Sequence, residues 1–300
     1  MSARYCGRFA PTPSGPLHFG SLVAALGSYL EAKTRGGTWR LRIDDLDPLR
    51  VAAGASDDIL RTLESLGMMW DGAVLYQSDR TDAYRAALHA IAEVASVYPC
   101  VCSRREIAEA AIAGVEGPIY PGTCRSRVAS PNSAYALRLN VQGAHVRFDD
   151  GLQGPQECDL EREAGDFVLC RVDGIFSFHL AAAVDDGEQE ITDVVRGADL
   201  LESSARQIHI QHLLGLSTPR YLHLPVALDR QHQKLSKQTH ARKVGVTKPV
   251  ATLCRVLEFL NQPRFPELEN ADLRDFWRHA IAVWRLDRVG ARTQAPAPDA

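Results

Sequence analysis

The sequence predicts an α/β fold built around a parallel sheet of the nucleotide-binding type. One strand is predicted over residues 4–10 and another over 38–43, with a Pro/Gly-rich turn and a helix between them. The helix is indicated by apolar residues at helical spacing from Leu22 to Leu30, and Gly36-Gly37 ends it. Strand, helix and strand in this order form a βαβ unit, whose two strands are parallel.

Later segments extend this pattern on both sides of a region of different character. The further patterned segments are 55–66, 81–97, 178–184, 190–195 and 200–214. The first two and the last have helical periodicity. We therefore expect the sheet and its helices to be assembled from residues 1–98 and residues 176–243.

Residues 99–175 are the region of different character. They contain clustered cysteines, a Gly/Pro-rich loop at 114–122 and short alternating runs such as 134–141. This composition predicts an α+β insertion with a small β structure of its own.

Two amphipathic segments, 249–260 and 271–286, predict a small helical domain over residues 244–292. The Ala/Pro-rich residues 293–300 are expected to be a disordered tail.

Composition and charge narrow the class of protein. The chain has 300 residues, with 34 Lys and Arg against 37 Asp and Glu, so its formal net charge is -3. This balance disfavours a general polyanion binder, and 45% apolar residues exclude a disordered chain. No stretch approaches the roughly 20 apolar residues of a membrane span, and no apolar secretory signal opens the chain. Seven irregularly spaced cysteines do not form a disulfide framework, so we expect a cytoplasmic protein away from membranes.

Two segments carry the first chemical signals. Pro-Ser-Gly-Pro-Leu-His-Phe-Gly-Ser, at 13–21, ends at a predicted helix start, where unpaired N–H groups and the helix dipole favour phosphate. Lys-Leu-Ser-Lys-Gln, at 234–238, lies in a run from 230 to 257 with seven basic residues and no acidic one. Each has a simpler interpretation, an ordinary turn and a solvated face. The sharper one is a pair of sites for a triphosphate.

A third signal is the cysteine cluster. Cys100 and Cys102 are one residue apart, and Cys124 follows a Gly-rich loop, so three thiolates can converge on a tetrahedral zinc ion. Three cysteines leave one position open. The alternatives are unliganded thiols, or a site closed by Cys158 or by water.

Taken together and in this order, the two phosphate motifs resemble the signatures of class I aminoacyl-tRNA synthetases. Four more segments resemble the glutamyl branch: 8–15 (Arg-Phe-Ala-Pro-Thr-Pro-Ser-Gly), 41–47 (Leu-Arg-Ile-Asp-Asp-Leu-Asp), 195–200 (Val-Arg-Gly-Ala-Asp-Leu) and 223–225 (His-Leu-Pro). The endings His-Phe-Gly-Ser and Lys-Leu-Ser-Lys-Gln and the length resemble its short paralogues, the glutamyl-queuosine tRNA(Asp) synthetases. The resemblance covers residues 8 to 260.

The resemblance implies a class I synthetase fold of the Rossmann type and a two-step reaction. Glutamate is activated by ATP with Mg²⁺, without tRNA, and is then esterified to queuosine at the wobble position of tRNA(Asp). A monomer would bind the anticodon arm, with the basic stretch 230–255 against it. His18, Gly20 and the helix start are implied at the ATP phosphates, and Lys237, helped by Lys234, at the migrating charge. Ser21 stands where many synthetases carry a second histidine, so a hydroxyl completes these catalytic donors.

The resemblance also implies a glutamate pocket and a zinc ligand set. The pocket residues are Arg8, Ala10, Thr12, Asp44, Phe178 and Arg196, with the two arginines on the carboxylates and Asp44 on the ammonium. Asp44 falls where the family usually has Glu, and Phe178 where it usually has Tyr, so both are departures. For Phe178, core packing is an equal alternative to a substrate contact. Tyr120 is implied as the fourth ligand of a structural zinc beside Cys100, Cys102 and Cys124.

Three rival functions are weighed against this one. A glutamyl-tRNA synthetase that charges the 3′ end needs a long anticodon-binding half, and only about 60 residues follow Lys237. A small-molecule adenylate-forming ligase or nucleotidyltransferase is disfavoured by the glutamate-pocket arginines and the insertion. A non-catalytic module descended from a synthetase is disfavoured because both phosphate motifs are intact.

Overall fold

The computed structural model describes residues 4–110, 112–114, 117–127, 133–231, 233–235, 244–263, 268 and 271–298. The strands are β1 (Cys6–Phe9), β2 (Thr38–Ile43), β3 (Leu75–Tyr76), β4 (Val97–Cys100), β5 (Ile112–Gly114), β6 (Gly117–Ile119), β7 (Ala136–Leu139), β8 (His145–Asp150), β9 (Gly154–Asp159), β10 (Phe167–Cys170), β11 (Asp193–Gly197), β12 (Arg220–Leu224), β13 (Val226–Leu228) and β14 (Gln294–Pro296). The helices are α1 (Phe19–Thr34), α2 (Ala55–Ser65), α3 (Thr81–Val94), α4 (Arg104–Ala110), α5 (Leu160–Glu163), α6 (Phe178–Glu188), α7 (Ser203–Leu213), α8 (Pro249–Phe259) and α9 (Leu273–Val283).

A seven-stranded sheet forms the body, in the order β3-β2-β1-β11-β12-β8-β9. Neighbouring strands are parallel except β8 and β9, which are antiparallel. The chain runs from β1 towards β2 on one side and from β11 towards β12 on the other. Such a reversal of strand order leaves a crevice at the carboxyl ends of the strands, where α/β proteins bind ligands. The predicted α/β fold with a parallel sheet is confirmed.

Helix α1 is the crossover between β1 and β2, as its sequence predicts. Leu22, Leu26 and Leu30 are fully buried, because one apolar face of the helix lies on the sheet. After Thr34 the helix ends at Gly36, whose φ of 60° favours glycine. At Gly37 a Cβ would lie 2.5 Å from the Tyr5 carbonyl oxygen, so β2 can begin close against the start of β1.

The insertion is less separate than predicted. Strands β10, β7 and β4 do form a small antiparallel sheet, but β8 and β9 join the main sheet through β12. The expected boundary at residue 175 therefore does not separate two sheets. Alternation identifies a strand but not its partner, which is why the sequence misplaces this hairpin. Helix α3 also ends before residue 97, because the backbone is already extended at Ala95.

The two C-terminal helices do not form a domain with its own core. Helices α8 and α9 share one buried apolar cluster with α1 and β2, through residues such as Leu253 and Phe276. Within the described ranges, none of the helices has the length and apolar character needed to cross a bilayer.

The expectation of a disordered tail is wrong for its first part. Gln294–Pro296 forms β14, which pairs in parallel with Val226–Leu228, and Ala295 is buried. Backbone N–H and C=O groups pair whatever the side chains are, and proline is tolerated on an edge strand. A low-complexity composition therefore hides this strand.

Candidate active site

A cleft of about 870 Å³ opens at the carboxyl ends of β1, β2 and β11. It is the crevice that the reversal of strand order creates. The sequence-predicted residues that line it are Arg8, Ala10, Thr12, His18, Gly20, Ser21, Asp44, Phe178, Arg196 and Lys234. The structure thus brings together the first phosphate motif, the described part of the second and the expected glutamate pocket. Lys237 lies outside the described residues, so its role stays a prediction.

His18 is the N-cap of α1, and its Nδ1 accepts a hydrogen bond from the Ser21 backbone N–H at 3.3 Å. In a neutral imidazole, an accepting Nδ1 leaves the proton on Nε2. The ring therefore carries an N–H donor at the positive end of the helix dipole, which suits a phosphate oxygen.

Gly20 brings the two phosphate motifs into contact. A Cβ at this position would lie 3.3 Å from the Leu235 carbonyl oxygen and 3.2 Å from Cε1 of His18. The Leu235 backbone is fixed from its other side, because its N–H donates to the Ala227 carbonyl at 2.8 Å. Any side chain at residue 20 would therefore crowd both the histidine ring and the second motif.

Lys234 extends from the second motif to the opposite wall of the cleft. Its Nζ donates to Asp199, and the lysine side chain is 48% exposed. Asp199 belongs to the 195–200 segment that also supplies Arg196. This ion pair holds the ammonium group at the cleft wall.

Arg8 is buried and is held by a carboxylate that the sequence analysis did not single out. Its Nε and Nη2 donate to Asp186 at 3.1 and 3.3 Å. Arg42 donates from Nη1 to the same carboxylate at 2.6 Å and from Nε to Asp44 at 2.7 Å. Burial would raise the pKa of Asp186, but the charges of Arg8 and Arg42 hold it below its ordinary value. The result is a buried chain of alternating charges, Asp44–Arg42–Asp186–Arg8.

Arg196 is fixed on every edge of its guanidinium. Its Nε donates to Nε2 of His223 at 3.0 Å, its Nη1 to Gln207 at 2.8 Å and its Nη2 to Ser204 at 2.8 Å. Burial lowers the pKa of Arg196 to about 10, so the side chain is still charged at neutral pH.

Phe178 begins helix α6, which Ser177 caps by accepting a hydrogen bond from the Leu180 N–H. Its ring packs edge-on against His179 and lines the cleft. The structure therefore combines the two interpretations of Phe178, since it packs against a neighbour and faces the cleft.

Three residues of this site were missed at first: Arg42, Asp186 and His223. A signal for Asp186 exists, because Asp185-Asp186 interrupts an otherwise apolar helical segment. A carboxylate inside an apolar segment requires a buried cationic partner. Which arginine supplies it depends on the fold.

A second cavity of about 500 Å³ adjoins the cleft. The two share Thr12, Asp44, Arg50 and Phe178 as walls. The second cavity extends from these residues as far as Tyr120 in the insertion.

The cysteine cluster converges as predicted. The Sγ atoms of Cys100, Cys102 and Cys124 lie within 4.8 Å of one another. The Tyr120 hydroxyl is 3.4 Å from Cys100 Sγ and 3.5 Å from Cys102 Sγ, so a fourth oxygen donor faces the sulfurs. Cys158 instead lies on β9 and packs in a different apolar cluster, which argues against it as the closing ligand.

The chemistry of this donor set fits a metal ion. Burial would raise the pKa of Cys124, but hydrogen bonds, chiefly from Tyr120, lower it to about 7. Burial and the cysteines raise the pKa of Tyr120, so the phenol would lose its proton only to a strong local positive charge. Three soft sulfurs and one oxygen can therefore hold a metal.

Comparisons with known proteins agree with this geometry. Residues 6–251 match the family described as tRNA synthetases class I (E and Q), catalytic domain. A glutamyl-Q tRNA(Asp) synthetase from Aromatoleum aromaticum is 51% identical over 99% of this chain and 94% of its own. One from Dechloromonas aromatica is 49% identical over 96% of this chain and 97% of its own. The structure of a glutamate tRNA ligase from Elizabethkingia meningosepticum in complex with its amino acid superposes with a TM-score of 0.80 at 25% identity, over 99% of this chain and 67% of that one. The chain therefore belongs to the class I tRNA synthetases for glutamate and glutamine and, within them, to the glutamyl-Q tRNA(Asp) synthetase family.

Proposed function

We propose that this chain activates glutamate with ATP and transfers it to queuosine at the wobble position of tRNA(Asp). The observation that carries the proposal is the single cleft in which Arg8, Asp44 and Arg196 face the same space as His18 and Lys234. Two charged forks, an acid and a phosphate-binding helix start are the groups that a glutamyl adenylate requires. The name of the family supplies the acceptor.

In the first step, an α-carboxylate oxygen of glutamate attacks the α-phosphorus of ATP and the bond to pyrophosphate breaks. Catalysis then consists of holding the nucleophile in line and stabilising charge on the phosphoryl oxygens. Nε2–H of His18, the first N–H groups of α1 and the hydroxyl of Ser21 donate to these oxygens. Lys234 and Lys237 neutralise charge on the leaving group, which departs with Mg²⁺.

In the glutamate pocket, Arg8 and Arg196 bind the carboxylates and Asp44 binds the ammonium. The geometry supports these roles, because all three are nearly buried and line the cleft. A buried guanidinium is desolvated already, so its hydrogen bonds to a carboxylate are strong. Ala10, Thr12 and Phe178 form the apolar and hydroxyl-bearing wall beside them.

In the second step, a hydroxyl of the queuosine cyclopentenediol attacks the acyl carbon and AMP leaves. The cavity beside the cleft supports this step, since a second substrate can reach Asp44 and Phe178 from there. We propose that the basic stretch 230–255, much of which lies outside the described residues, binds the anticodon arm.

We further propose that Cys100, Cys102, Cys124 and Tyr120 bind one zinc ion. When bound, the ion would supply a cross-link between the β4 end and the loop before residue 124. The cluster is far from the ATP motifs in the chain and contributes no donor to the main cleft, which supports a structural role.

Mapping of labelled glutamate tests the acceptor. The enzyme is incubated with ATP, labelled glutamate and tRNA(Asp) that carries or lacks queuosine, and the product is cut with nucleases. Label on the anticodon fragment of the queuosine-containing tRNA alone is expected. Label on the 3′ terminal adenosine would support the glutamyl-tRNA synthetase instead. Label on neither, with active pyrophosphate exchange, would support a small-molecule ligase.

A further inference from the structure

Three buried side chains connect strand β8 to the proposed glutamate-binding arginine. Asp150, His223 and Arg196 end or lie on the neighbouring strands β8, β12 and β11, and His223 is the register partner of Arg196. The His223 Nδ1 lies 2.6 Å from Oδ2 of Asp150, and Arg196 Nε lies 3.0 Å from His223 Nε2. All three residues are at most 5% exposed.

The protons in this chain are determined by chemistry. An arginine Nε–H can only donate, so Nε2 of His223 must accept. The ring proton is then on Nδ1, where it donates to Asp150. Burial lowers the pKa of His223 to about 4, so the ring is neutral at pH 7.

We propose that Asp150 and His223 are positioning residues that orient Arg196 towards a substrate carboxylate. Asp150 selects the tautomer of His223, and that tautomer offers the acceptor that fixes the Nε edge of the guanidinium. Gln207 and Ser204 fix the remaining nitrogens. The inference rests on the proposed function, because it assigns Arg196 to glutamate.

Asp150→Asn is the decisive substitution, because its orientation is forced. The Oδ1 atom of Asp150 accepts backbone N–H groups from Leu152 at 3.0 Å, Gln153 at 2.9 Å and His223 at 3.3 Å. An amide nitrogen cannot face three donors, so the asparagine oxygen takes this place. Its NH₂ group then faces Nδ1 of His223 and drives the ring proton to Nε2. That N–H points at the N–H of Arg196, and the acceptor is lost.

The kinetic test is glutamate-dependent ATP–pyrophosphate exchange. In Asp150→Asn, the KM for glutamate should rise roughly ten- to hundredfold, as expected when a charge-assisted hydrogen bond is replaced by facing donors. The KM for ATP should stay unchanged, which a merely misfolded enzyme would not show. The matched control is Asp149→Asn, the same change at the preceding, exposed residue of β8, which should behave as the wild type.

The spectroscopic test is ¹⁵N NMR of the His223 ring, assigned by the signal that disappears in His223→Gln. Wild type should show a protonated Nδ1, and Asp150→Asn a protonated Nε2. An unchanged tautomer, or an unchanged KM for glutamate beside an active wild type, would overturn the positioning inference. A wild type without any glutamate-dependent exchange would overturn the proposed function itself and with it the role of Arg196 at glutamate.

Discussion

Replacing Asp186 by asparagine tests the buried charge network below the cleft. Asp186 is 2% exposed and accepts three hydrogen bonds from Arg8 and Arg42, which are 4% and 0% exposed. The substitution removes the negative charge and leaves both guanidinium groups buried. Removing one partner of a buried ion pair costs about 3–5 kcal/mol, because the remaining charge is uncompensated.

The assay is urea unfolding followed by circular dichroism, which gives the free energy of unfolding for each variant. Asp186→Asn should lose about 3–5 kcal/mol of a total that is about 5–15 kcal/mol for typical proteins. The control is Asp82→Asn, the same chemical change in the exposed pair of Asp82 and Arg85. There, water already solvates both charges, so the loss should be about 0–1 kcal/mol.

The comparison of the two variants decides whether burial sets the cost. If Asp186→Asn lost no more free energy of unfolding than Asp82→Asn, the alternating charges would not stabilise the cleft floor. The argument that Asp186 holds Arg8 in place would then be wrong.

Three further predictions concern the rate, the metal and the pH dependence. Lys237→Ala should lower the rate of pyrophosphate exchange roughly 100-fold with the KM for glutamate little changed, since its charge acts mainly in the transition state. A wild-type rate would remove it from the mechanism. Elemental analysis of protein purified without chelators should find zinc in the wild type and less in Cys124→Ser; a metal-free wild type would refute the site. Between pH 8 and pH 5 the free energy of unfolding should fall by about 2 kcal/mol through His223 alone, because the unfolded chain takes up a proton near pH 6.5 that the folded ring accepts only near pH 4. Urea unfolding of His223→Gln should show a smaller fall, and an equal fall would contradict this assignment.

Local patterns predict the parts of the fold whose partners are close in sequence. The unit of β1, α1 and β2 follows from periodicity and two glycines, because its contacts lie within about 40 residues of each other. The hairpin of β8 and β9 has a partner more than 60 residues later, on β12. Its alternation is the same whichever sheet it joins, so the sequence alone does not assign it. The pairing of β14 with β13 is hidden for the same reason.

The candidate site divides in a similar way. Residues in contiguous motifs, such as His18 and Lys234, are recognisable because strand ends and helix starts bring them into the cleft. Arg42 and Asp186 are 144 residues apart, and neither belongs to a motif that requires the other. Their role depends on a long-range contact, so it becomes visible only in the folded chain.

The departure at residue 44 has a consequence beyond the length of one side chain. Asp44 binds Arg42 at 2.7 Å, Arg42 binds Asp186 at 2.6 Å, and Asp186 binds Arg8. The acid proposed for the ammonium and an arginine proposed for a carboxylate are therefore the two ends of one buried ionic chain. A carboxylate moved by one methylene at residue 44 would shift Arg42 and, through Asp186, the guanidinium of Arg8. Selection of glutamate over aspartate is then a property of the whole chain of charges, and single substitutions along it should have non-additive effects on the KM for glutamate.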